Sequence, residues 1–446
     1  MRTPWIVLTA LIALALAAPA EAARGHSPRA VASSGPASAA PASAGWAACA
    51  APGAPLFGIT RIDGRRTLAR FGPRTLRPLP APRVRVPLRV VVAQAAFSPG
   101  CDAVALPVHR GAIVLVDLER GRRAGTLTLA GRSAIGPLAW TRADRLTGFA
   151  GPHRSQRVVT VAVPDGRVIA AHRVGGRPWV SESTSLGMVM LAGRGDRIGA
   201  TTLALATPDG GMLRAPLSRI RAGYEDRGPR VPARVVTPGL AVDEASATAY
   251  VVGATEPLVA EVDLATGAVS YHDLSRGGGA GAGPRATAAD RIPSGPYRIA
   301  HWVGDGTIAV SGGDIRPEGT RKRLASEGPV EPAGLELIDT AGWSVRTLDP
   351  LLSEFALAGD ALVGIRPALE GLAVYGTGRD RFVRIRGSRP VGLVGAAWPY
   401  AYVTARRPRR TYVVDLRTGR TVNTVPSIRP PSLLVPLSRA QRRIRR

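Results

Sequence analysis

The stretch TYVVDLRTGRTVNTV at 411–425 reads as two short apolar strands joined by a turn that carries Asp and Gly. The same figure recurs as IVLVDLERGRRAGTLTL at 113–129, LVAEVDLATGAVSYHDL at 258–274 and LELIDTAGWSVRTLD at 335–349. Looser copies lie at 56–71, 158–174, 202–217 and 372–385, which makes eight in all. Two further strand-like runs precede each hairpin. Before the last one they are PVGLVGAAWP and YAYVTARR, and before the copy at 113 they are LRVVVAQAAFSPG and DAVALPVH. The unit is therefore four short strands, rich in Val, Ile, Leu and Tyr, with Gly, Asp or Pro at the turns. Glycines at 64, 121, 166, 210, 267, 342, 378 and 419 mark the hairpin turns, where positive φ is needed. A four-stranded unit has two apolar faces and cannot bury both alone, so copies must stack on one another. The spacing of about fifty residues is that of a propeller blade.

An SPG-type turn before a "YVT" strand, followed by VVDLRTGRTV, resembles the YVTN-type blade of the quinoprotein amine dehydrogenase-like β-propellers. The resemblance is strongest at 389–425 and 240–270, recognisable at 90–129, and extends as architecture over residues 46–437. It implies an all-β propeller of seven or eight four-stranded blades. Seven units beginning near residue 87 have all four strands, and 46–71 supplies about three more. SLLVPL at 432–437 can complete that last sheet, so the N- and C-terminal strands would share a blade. This arithmetic favours eight blades over seven. Blades of this kind serve unrelated functions, so the resemblance fixes no activity.

Residues 1–22 have the pattern of a secretory signal: Arg2, an apolar run from Trp5 to Ala18, and Ala20-Glu21-Ala22 as the cleavage pattern. The expectation is a secreted or envelope-associated chain cut near Ala22, with an uncleaved anchor as the alternative. Residues 23–45 are an Ala/Ser/Pro-rich linker too poor in apolar groups to offset the entropy of ordering. The basic tail is 438–446. Cys49 and Cys101 are the only cysteines. In an exported chain they are expected to form a disulfide, the alternative being two buried thiols.

The formal charge is +27, and Lys322 is the single lysine. Such an excess attracts polyanions and makes binding depend on salt. In a propeller, loops from the second to the third strand and from the fourth strand to the next blade share one face. The long insertions 217–233, 274–296 and 311–334 fall on such connections in consecutive blades. Candidate binding residues on that face are Arg219, Arg221, Arg321, Lys322, Arg323, Arg406 and Arg407, since guanidinium forks suit phosphate and carboxylate. Glu225, Asp226 and Asp314 lie in the same loops, and simple pairing with them is the alternative. His109 and His153 recur at one blade position, but without neighbouring carboxylates they make no metal site. His172 and His272 fall on outer strands, and His301 on an inner one. No metal and no cofactor is expected. The reading is a monomeric, non-catalytic propeller binding an anionic polymer or an envelope protein through one loop face. The alternative is a propeller hydrolase or lactonase acting at the channel mouth. A degenerate quinone-cofactor subunit is a third.

Overall fold

The computed structural model describes residues 56–87, 90, 94–108, 111–129, 137–151, 156–194, 197–225, 234–274, 297–315, 330–352, 354–359, 361–366, 371–376, 380–385, 390–406, 409–426 and 432–434. The segments read as signal, linker and tail, and Cys49, lie outside them. The described residues form eight antiparallel sheets. Within each, the strands are counted below from the innermost outward.

Blade 1 joins the two ends of the chain. Ser432–Leu434 is its innermost strand and pairs with Leu56–Ile62, which is followed by Arg65–Phe71 and Pro78–Arg85. Blades 2 to 8 then follow in chain order, with innermost strands beginning at Ala96, Leu138, Arg177, Gly239, Tyr297, Glu354 and Pro390. The shared closing blade and the count of eight agree with the sequence arithmetic. One detail differs. The hairpin at 56–71 joins the second and third strands of its blade, whereas the other seven copies join third and fourth. Blade 1 finds its fourth strand in PLPAPRVR at 78–85. Three prolines there argue against a central strand, but an outermost strand has one unpaired edge and tolerates missing N–H donors.

The apolar core is divided into eight clusters, one for each seam between neighbouring blades. Leu56, Ala69, Phe71 and Leu76 of blade 1 pack on Tyr402 and Val413 of blade 8, which closes the ring. Val189, Leu203, Leu240 and Val251 represent the seam of blades 4 and 5. Polar contacts tie the same seams. The Trp140 indole N–H donates to the Ala96 carbonyl (3.0 Å), and the Tyr402 hydroxyl donates to the Pro73 carbonyl (3.0 Å). Burial pushes the Tyr402 hydroxyl pKa far up.

The recurrent Asp of the hairpins has a local cause. Asp263 Oδ1 accepts from the backbone N–H of Ala265 and Thr266, and Asp415 Oδ1 from those of Arg417 and Thr418. Each carboxylate thus closes an Asx turn. The backbone hydrogen bonds from Thr266 and Ala265 hold the Asp263 carboxyl below its ordinary range. Burial alone would raise Asp415, but hydrogen bonds from the Arg417 side chain and from the Arg417 and Thr418 amides outweigh it, and its pKa is lowered. Of the hairpin glycines, 64, 121, 166, 210, 267 and 419 have positive φ. Gly342 does not; its neighbour Trp343 takes that conformation instead, at φ +52°. Gly378 lies outside the described residues.

Candidate functional site

Antiparallel alternation puts the connections from second to third strand on the same face as those from fourth strand to next blade. That face carries all three long insertions, at blades 4, 5 and 6 in succession. Their form differs from the expectation in two places. Residues 217–225 are not loop: the fourth strand of blade 4 runs as one piece over Met212–Glu225. Its register jumps between Ala200 and Thr201, so that Leu217 pairs with Thr201 and Arg221 with Ala200. Ser218 to Ile220 are the extra residues of this bulge. Likewise the second strand of blade 6 extends over Thr307–Ile315 and gains a short partner, Val330–Pro332. Residues 275–296 and 316–329 lie outside the described set.

The bulge has a consequence for charge. It carries Arg219 and Arg221 past the edge of blade 4 onto blade 5. The Arg219 guanidinium lies 5.3 Å from the centroid of the Tyr271 ring. Arg221 approaches Glu256 at 4.0 Å, with side chains 64% and 38% exposed, a contact of little energetic weight. Farther along, Gly223 is pressed on the neighbouring connection; a Cβ there would stand 2.2 Å from the Arg197 carbonyl oxygen. Only glycine permits that approach, and it brings Arg194 and Arg197 to the same rim. Both are exposed and form no ion pair among the described residues. The site is therefore four arginines from one blade, faced by an aromatic ring and one loose carboxylate from the next.

The remaining predicted residues are not gathered with them. Arg321, Lys322, Arg323 and Arg407 lie outside the described residues. Arg406 ends the second strand of blade 8, on the same face but across the ring from blade 4. Cys101 sits in a turn of blade 2 at φ +58°, and its expected partner Cys49 lies outside the described residues. Among the described residues no group of His, Cys, Asp and Glu could hold a metal ion. His109 and His153 lie outside. His172 and His272 are on outer strands as expected, and both serve seams. His172 Nε2 is 2.6 Å from the Gly210 carbonyl oxygen of blade 4, and His272 stacks on Trp343 of blade 6 at 3.5 Å between ring centroids. His301 meets Phe355 edge-on at 5.3 Å.

Two features escaped sequence reasoning. At the seam of blades 6 and 7, Asp349 is fully buried, and Arg366 Nε donates to its Oδ2 at 2.6 Å. The Tyr375 hydroxyl donates to the same oxygen and accepts from Arg366 Nη2. Burial, reinforced by Asp349, pushes the Tyr375 hydroxyl up to about 12. The second is Glu354, the first residue of blade 7's innermost strand. It makes no hydrogen bond or ion pair among the described residues, and burial raises its carboxyl pKa.

No protein-family model matches the sequence, and no curated protein matches it. Among solved structures the chain is similar to dihydro-heme d1 dehydrogenase NirN in complex with DHE, with a TM-score of 0.55 at 12% identity over 86% of this chain and 76% of that one. It is also similar to the computationally designed Ika8 protein, with a TM-score of 0.49 at 12% identity over 80% and 96%. For BamB from Moraxella catarrhalis the TM-score is 0.42 at 13% identity over 75% and 87%. At such identity the first likeness establishes a shared fold and nothing finer.

Proposed function

We propose that this chain is an exported, non-catalytic binding propeller that takes an anionic envelope polymer or an acidic envelope protein on the rim of blades 4 and 5. The observation that supports this reading is the bulged extension Met212–Glu225, which sets Arg219 and Arg221 beside Arg194 and Arg197. Guanidinium groups with their donors open to solvent suit phosphate and carboxylate oxygens. Export rests on the leader-like start, and a polymer partner on the charge. The test uses immobilised polyglycerol phosphate. The native chain is expected to be retained and to elute with salt. Replacing Arg194, Arg197, Arg219 and Arg221 by Ala should weaken retention at least tenfold. Retention indifferent to both salt and these substitutions would refute the reading.

A second reading has one specific support. Glu354 opens an innermost strand on this same face, and a carboxyl whose pKa is raised by burial is suited to general-acid work. A propeller hydrolase acting at the channel mouth would lose ester or lactone cleavage on Glu354→Gln. Absence of any such cleavage by the native chain would remove this reading.

A further inference from the structure

Among the described residues, positive charge is not confined to the loop face. The fourth strands of blades 1, 2, 3, 4, 6, 7 and 8 each carry exposed arginine: Arg85, Arg122, Arg173, Arg214, Arg346, Arg384 and Arg420 are one from each. Arg83 and Arg123 are further exposed members on blades 1 and 2. None of these forms an ion pair with a carboxylate among the described residues. The outermost strand of blade 5, Val269–Asp273, carries no arginine and ends in an acid. Followed round the ring, the basic residues form one open run from blade 6 through 7, 8, 1, 2 and 3 to blade 4. Blade 5 supplies no arginine of its own there; only Arg219, reaching over from blade 4, stands on its Tyr271.

The dimensions of the fold define what such a belt can hold. Sheets stacked about 10 Å apart, with strands about 4.8 Å apart inside each, put neighbouring outermost strands of an eight-bladed ring about 15 Å apart. The run from blade 6 to blade 4 then measures about 90 Å. An interval of about 15 Å exceeds the screening length of about 10 Å at 0.1 M salt, so, except where Arg214 of blade 4 donates to the Arg173 carbonyl of blade 3, a compact anion meets the arginines of one blade only. A long flexible anion can engage successive blades, each further engagement being intramolecular. We infer that the circumference of the propeller is a binding track for a linear, flexible phosphate polymer, wound from blade to blade, with blade 5 contributing no arginine of its own. The rim cluster adjoins the blade 4 end of this track, since Arg219 and Arg221 share the strand Met212–Glu225 with Arg214, but the other six blades carry the track without it.

The experiment measures affinity for inorganic polyphosphate chains of graded length at 150 mM salt. Three proteins are compared: the native chain, a belt variant and a rim variant. The belt variant carries Gln at Arg85, Arg122, Arg173, Arg214, Arg346, Arg384 and Arg420; the rim variant carries Gln at Arg194, Arg197, Arg219 and Arg221. The native chain should bind chains of about 90 Å at least tenfold more tightly than chains of about 15 Å. The belt variant should lose that gain. Its salt dependence should be shallower by several units, on the order of 0.7 for each phosphate no longer neutralised. The rim variant should keep the gain, and its own loss on polyglycerol phosphate reports separately on the rim reading. A gain absent from the native chain, or equal in the belt variant, overturns the track. A gain abolished by the rim variant alone also overturns it and leaves the rim reading standing. Near-UV circular dichroism checks folding. Should the full belt variant be misfolded, half-belts at Arg85, Arg122 and Arg173 or at Arg346, Arg384 and Arg420 should each remove roughly half of the logarithmic gain.

Discussion

The innermost strands of the eight blades carry three arginines and three acids, whereas the fourth strands outward carry twelve arginines and again three acids. The two sets have the same secondary structure and alternate along the same chain, so the difference belongs to radial position. An innermost strand is crowded by its counterparts in adjacent blades, and a charge there loses water; Glu354 and Arg177 both have pKa values displaced toward their neutral forms by burial. An outermost strand has an open edge, so a long side chain keeps its head in solvent at little cost. Position in the ring, not strand propensity, decides where this protein can hold net charge. Of the three outer acids, Asp349 is the exception that sharpens the contrast, because it points inward and is fully buried against Arg366 and Tyr375.

The largest effect is expected there. Asp349→Ala leaves Arg366 without its carboxylate at a seam, and removing one partner of a buried pair costs about 3–5 kcal/mol. Chemical denaturation of the variant measures this. A loss below about 1 kcal/mol would mean that this outer-strand charge behaves like the exposed arginines around it, and the contrast by burial would fail. Next comes Asp415, which closes the last hairpin turn from the end of blade 8's third strand. Asp415→Ala should cost about 1–2 kcal/mol, the worth of charge-assisted hydrogen bonds to the turn amides. Its folded pKa is lowered, so its contribution is present above the unfolded value and vanishes as pH falls through the folded one. The native chain and the variant should therefore converge in strongly acidic solution; a constant gap down to about pH 2 would assign the loss to packing instead.

Much of this ring is legible in the chain because each repeat announces itself locally. VDLRTG and VDLATG carry the Asp that binds the turn amides and the Gly that takes positive φ, so hairpin, blade and period follow from neighbouring residues. Pro78–Arg85 was hidden because its prolines obey the rule for an edge, and edge status is known only once the blade is assembled. Residues 217–225 were hidden for a similar reason: a strand that leaves its own blade through a bulge has no period of its own. The Asp349 lock unites the last strand of one repeat with the middle strands of the next, a meeting no local pattern encodes. The arginine belt did leave a trace. Arg122, Arg173, Arg214, Arg346, Arg384 and Arg420 all fall on the fourth strand of their repeats, and superposing the repeats strand on strand would have exposed the series.

Glu354 tests the inner half of the comparison. Its folded pKa lies above the ordinary value of 4.5, so the stability it allows is complete below that value and declines as pH rises through the folded one. Glu354→Gln removes the decline. The variant should match the native chain near about pH 4 and exceed it in stability at about pH 7, as read from denaturation midpoints at both. A variant less stable at neutral pH would show that the carboxylate is welcome beside the axis, contrary to the charge balance seen there.

The smallest effect belongs to the outer half. Any single belt arginine, Arg122 or Arg346 for instance, should be replaceable by Gln within about 0.5 kcal/mol, because it is exposed and holds no carboxylate. The belt as a whole is different, since like charges about 15 Å apart repel across the ring when salt is low. The melting temperature of the native chain should therefore climb by a few degrees between about 10 mM and 200 mM salt, as screening shortens from about 30 Å toward 8 Å. The seven-fold Gln variant should climb less and melt higher at the low-salt end. If both proteins ignore salt alike, the outer arginines exert no common field, and their excess is a property of composition rather than of the ring.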